Sequence, residues 1–188
     1  MNNTNSLVYY DWLLIYYSYY QLIEVREALF ELGIPFVIST ICTALYCEYE
    51  KVDMALQKLT DMLPSITSIM IGFTVALITI LLTSGSDAIK ELKSHKSKRI
   101  MNGKSITLFQ ILNIQFSYLL LVEVLMLLVL FLHFFMSGLV RSIVIDIVLL
   151  FVVVYLLLSV LFCIVRSITN LHFAFFGSTK RKDRSIDK

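Results

Sequence analysis

From Ser65 to Ser86 the chain reads SITSIMIGFTVALITILLTSGS, apolar except along one line of small residues. Ser65, Ser68, Gly72, Ala76, Thr79, Thr83 and Ser86 recur at steps of three or four, the spacing that aligns side chains on one side of a helix. Three further stretches are long and apolar enough to be compared with the roughly 20 residues needed to cross a hydrocarbon core of about 30 Å. The pattern predicts membrane-spanning helices over residues 32–48, 64–84, 106–136 and 142–171. The first is the weakest, with Glu31 at its edge and Pro35 near its start, so Gly33-Ile34-Pro35 is expected to separate it from an earlier helix. Ser137-Gly138 opens a tight hairpin between the last two spans.

Ahead of the spans, residues 7–31 hold six tyrosines and the single tryptophan, with Glu24, Glu27 and Glu31 on one helical face. Aromatic rings with a polar tip collect at the bilayer interface, which predicts an amphipathic interfacial helix. Arg26 is its lone cation, so burial of aromatic surface or packing against the other helices, not attraction to anionic headgroups, is expected to hold it. The expected fold class is therefore an all-α integral membrane protein of four transmembrane helices behind an aromatic N-terminal helix. Residues 1–188 form a single membrane domain ending in a basic tail over 172–188.

Composition agrees with this picture. The 188 residues are 58% hydrophobic and 16% charged, against about 25% charged in an ordinary soluble domain; the mean hydropathy is +0.80. Charge becomes informative once it is mapped onto the loops. Lys90, Lys93, Lys96, Lys98, Arg99 and Lys104 lie between the second and third spans, and the tail adds Lys180, Arg181, Lys182, Arg184 and Lys188. The loop between the first two spans is acidic, with Glu48, Glu50, Asp53 and Asp61. Four spans put both basic segments on one side, and the positive-inside rule makes that side, with both termini, cytoplasmic.

Ionisable groups inside a span are costly and are functional candidates by default. Glu123, His133, Asp146 and Arg166 are the ones here. A hairpin turning near residues 139–140 puts His133 opposite Asp146 and Glu123 level with Tyr155 and Leu156. It also brings Asn113 and Gln115 level with Arg166 and Ile164. Glu123 has no cation at its own depth and is expected to be protonated, hydrogen-bonded or facing a hydrated cavity. There is no nucleophile elbow, P-loop, HExxH or paired-carboxylate pattern, and Cys42, Cys47 and Cys163 make neither a CxxC nor a cysteine–histidine motif. Neither enzymatic activity nor a metal or cofactor is expected.

The small-residue stripe has two explanations. Small residues let helices approach closely, and the same face repeated around an axis can line a pore. The pore reading takes Ser65, Ser68, Gly72, Ala76, Thr79, Thr83 and Glu123 as lining candidates, with a non-conducting membrane anchor or immunity-type partner as the alternative. The basic loop, Lys90 to Lys104, can meet anionic lipid or bind an oligonucleotide.

The segment IMIGFTVALITILLTSGSDAIKELKS, with its basic loop, tight-turned pair of long apolar spans and short basic tail, resembles the small four-span effectors of bacterial anti-phage systems. The likeness covers about residues 64–176 and is to the channel subunits of Hailong systems. It implies a homo-oligomeric, tetrameric ion channel of the bacterial inner membrane that depolarises the cell on infection. It also implies a short DNA oligomer, made by a partner nucleotidyltransferase, that holds the channel shut.

Overall fold

The computed structural model describes residues 11–49, 51–101, 103–136 and 142–186. In chain order these form α1 (Asp11–Leu22), α2 (Val25–Ala28), a π-helical turn (Leu29–Gly33), α3 (Ile34–Glu48), α4 (Val52–Thr83) and α5 (Asp87–Ser94). A hairpin of β1 (Lys96–Met101) and β2 (Lys104–Thr107) follows, then α6 (Leu108–Met136) and α7 (Ile143–Ile186). Four helical runs among the described residues are long and apolar enough to cross a membrane: Val25–Glu48, Val52–Thr83, Leu108–Phe135 and Ile143–His172. The protein is an all-α multi-pass membrane protein with an aromatic helix ahead of its first span.

The helical run that carries the first expected span starts at Val25. The chain breaks at Ile23-Glu24, where Glu24 and Glu27 form a capping box, and then stays helical through Gly33 and Pro35. Proline has no N–H to give to the carbonyl four residues back. The π turn absorbs that defect, with the Ile34 N–H reaching back five residues to the Leu29 carbonyl. At the other end, α7 continues in helical form through the basic tail to Ile186. Ser137-Gly138 lies outside the described residues.

Inside α4, Pro64 leaves the helix unbroken. The hydroxyls of Thr60, Thr67 and Ser68 donate to the carbonyls of Leu56, Leu63 and Pro64, four residues back, which satisfies them without an outside partner.

The helices divide between two compact units. One comprises the described parts of Met1–Ile23, Ala76–Tyr118 and Val165–Lys188; the other comprises Glu24–Val75 and Leu119–Ile164. In the first, Leu22, Ile106 and Ile111 pack with Met101, Leu108 and Ile114. In the second, Val52, Ala55 and Leu56 pack against Leu150 of α7.

Between α4 and α6 the loop is structured. Ser86 caps α5 by accepting from the Ile89 N–H, and Ile89 and Leu92 are buried beneath it. The hairpin then pairs Met101 with Lys104 and Ile100 with Ser105, with Gly103 at φ 75°, in the left-handed region that glycine adopts without cost.

Candidate functional site

α4 has two distinct faces. Leu56, Leu63, Thr67 and Thr74 are buried, and their spacing puts them on one face of the helix; Leu81 is buried too. Ser65, Ser68, Gly72, Ala76, Thr79 and Thr83 are all exposed. Two residues along a helix are about 200° around it, so Gly72 and Thr74 point to nearly opposite sides. A Cβ added at Gly72 would meet nothing within 4 Å. The small-residue stripe is thus not the surface by which α4 packs within its own chain. Its hydroxyls are partly self-satisfied: Ser68 donates to the Pro64 carbonyl at 2.7 Å and Thr83 to the Thr79 carbonyl at 2.7 Å.

Glu123 lies elsewhere. It is fully buried, and its Oε1 accepts a hydrogen bond from Thr74 Oγ1 at 3.0 Å. The carboxyl is therefore on the buried side, away from the exposed stripe. Thr74 carries no signal in the sequence, because a threonine in an apolar run reads alike whether it is buried or exposed. Tyr155, expected near Glu123, stacks on Phe151 at 6.2 Å.

The expected pairing of His133 with Asp146 is not seen. His133 lines an apolar groove with Leu132, Val144, Ile145, Val148 and Leu149, and the Asp146 side chain makes no hydrogen bond or ion pair among the described residues. Gln115 is bonded one turn beyond Arg166, its Oε1 accepting from Asn170 at 3.0 Å. Arg166 donates instead to the Tyr19 hydroxyl at 3.2 Å. Tyr19 in turn stacks face to face on Tyr118, with centroids 3.7 Å apart, and Tyr16 and Tyr20 pack edge-on against the same ring. The aromatic helix is held by this cluster. Burial, reinforced by neighbouring Tyr20, raises the Tyr16 phenol above its ordinary value.

The basic residues are spread over α5 and the hairpin. Lys90 pairs with Asp87 at 3.0 Å on an exposed surface, an arrangement of little energetic weight. Lys93 sits 4.8 Å from the centre of the Phe109 ring, and Lys96 and Lys104 are exposed. Arg99 is half-buried and donates to the Leu22 carbonyl at 3.0 Å, capping the end of α1 and tying it to the hairpin. The Lys98 side chain, like those of the tail cations, lies outside the described residues. The hairpin itself was missed from sequence, although Asn102-Gly103 is a strong turn signal.

No metal-binding cluster of histidine, cysteine or acidic side chains occurs among the described residues. Comparison with protein-family models, with curated proteins and with solved structures found no match for this chain.

Proposed function

We propose that this protein is a non-enzymatic subunit of a homo-oligomeric ion channel in the bacterial inner membrane, acting as a depolarising effector in anti-phage defence. Both termini and the basic hairpin face the cytoplasm in this reading. One observation carries it: the face of α4 formed by Ser65, Ser68, Gly72, Ala76, Thr79 and Thr83 is exposed along its whole length. A lipid-facing helix has no need of such a face, and neighbouring Ile69 and Phe73, 73% and 55% exposed, show what lipid-facing positions of α4 carry. Copies of the chain meeting through the small-residue face bring hydroxyls and backbone to a common axis.

A short DNA oligomer is the proposed ligand of the cytoplasmic side, held by Lys90, Lys93, Lys96 and Lys104. In a tetramer, as the resemblance to Hailong channel subunits implies, these cations are repeated around the axis and bind a polyanion multivalently. Bilayer recording of the purified protein, with and without oligonucleotide, tests both parts. The expected result is a conductance that falls on adding oligonucleotide, steeply weakened by salt and lost when Lys93, Lys96 and Lys104 are changed to Gln. A conductance indifferent to oligonucleotide removes the ligand and leaves the channel. Absence of ion flux removes the channel and favours a non-conducting membrane anchor, a reading for which the self-satisfied hydroxyls of Ser68 and Thr83 speak.

A further inference from the structure

The second unit holds a buried polar centre that lies apart from the exposed face of α4. Glu123 is 0% exposed; Thr74 occupies its Oε1, while its Oε2 has no hydrogen-bond partner among the described residues. Ser159 on α7 is 7% exposed, and its Oγ likewise has none among them. The groove lined by Leu132, His133, Val144, Ile145, Val148 and Leu149 sets residues 132–133 of α6 level with 144–149 of α7. Ten residues farther along each helix, Glu123 is level with the stretch 154–159, which ends in Ser159. An isolated carboxylate cannot remain charged in such surroundings.

We propose that Glu123, Thr74 and Ser159 form an intramembrane site for one monovalent cation, either a proton on the carboxyl or Na⁺ shared among the three oxygens. One carboxylate and two hydroxyls carry a single negative charge, which one such cation neutralises. The donor set is all oxygen, which suits a hard ion. Thr74 gives its proton to Oε1 and keeps lone pairs free, while Oε2 and Ser159 Oγ supply the unfilled positions. The neighbouring ionisable groups on the packed elements are Tyr155 and Cys163 on α7 and Glu31 on the π turn. Ring contacts of Phe30 with Phe162 and of Phe36 with Phe151 place Glu31 at the height of Leu161. α4 contributes none between Asp61 and Asp87. The site lies within one subunit and holds whether or not the assembly conducts.

Two measurements on the full chain in detergent test the site: thermal unfolding at fixed ionic strength with Na⁺ replacing choline, and infrared spectroscopy of the carboxyl region. If Na⁺ is the occupant, it raises the melting midpoint to a plateau, and Ser159→Ala or Thr74→Val weakens the apparent Na⁺ affinity about tenfold or more. If the occupant is a proton, melting ignores Na⁺ and a carboxylic-acid carbonyl band is present that disappears in Glu123→Gln. Should Glu123→Gln fail to fold, Thr74→Val serves in its place, because loss of the hydrogen bond moves that band to higher frequency. An ionised-carboxylate signature in a protein whose melting is indifferent to Na⁺ overturns the site, as does a carboxylic-acid band unmoved by Thr74→Val.

Discussion

At the residue scale, burial separates side chains that look alike in the sequence. Thr74 and Thr79 lie five positions apart on α4, yet one bonds Glu123 in the interior and the other is exposed. Thr74→Val is therefore expected to destabilise the protein by about 1 kcal/mol, within the range for hydrogen bonds inside membrane proteins. Thr74→Ser restores most of that, and unfolding in detergent gives both values. Tyr19 separates two contributions in the same way. Tyr19→Phe keeps the stack on Tyr118 and loses the bond from Arg166, at a cost of about 1 kcal/mol. Tyr19→Ala loses both, at a cost of about 3 kcal/mol or more. Equal losses for the two variants would show that the stack contributes nothing. The sequence marked Glu123 and Arg166 as groups needing partners, because a charge in an apolar run is conspicuous. It did not reveal which hydroxyl answers each of them, since a threonine or tyrosine looks the same in sequence whether it is buried or exposed.

At the element scale, the membrane-length helices were legible because a bilayer demands a run of apolar residues that no other environment requires. Breaks were harder. Gly33-Ile34-Pro35 reads as an interruption, but a π turn carries the helix across it, since one extra residue in the turn disposes of the hydrogen bond that proline cannot make. The hairpin of β1 and β2 is obscured for a different reason: its strands are dense in lysine and arginine, without the alternation of apolar residues that marks a half-buried strand. Gly103→Ala tests the turn. The left-handed backbone at this position makes the change cost about 1 kcal/mol, with faster amide exchange across Lys96–Met101. Arg99→Ala tests the tie to α1, and is expected to speed exchange at both the hairpin and the last turn of α1. Protection unchanged in α1 would mean that the tyrosine cluster alone holds that helix.

At the scale of the whole molecule, the periodicity of the α4 stripe could not say whether the chain covers its own small residues. The structure answers that point: Leu63, Thr67 and Thr74 take the packed side and leave Ser65, Ser68 and Gly72 uncovered. Under the proposed function the uncovered face lines a pore formed by several copies. Gly72→Leu is then expected to leave the oligomer intact, as judged by native mass spectrometry, while reducing single-channel conductance severalfold. Dissociation of the oligomer would make the face a packed interface between copies. The most direct measurement scans α4 with single cysteines, after replacement of Cys42, Cys47 and Cys163, and follows conductance during exposure to a charged, membrane-impermeant thiol reagent. If the face lines a pore, cysteines at 65, 68, 72, 76, 79 and 83 react and alter the current, while those at 66, 69, 73 and 80 do not. Reactivity absent from the first set, or equal in both, would contradict the pore.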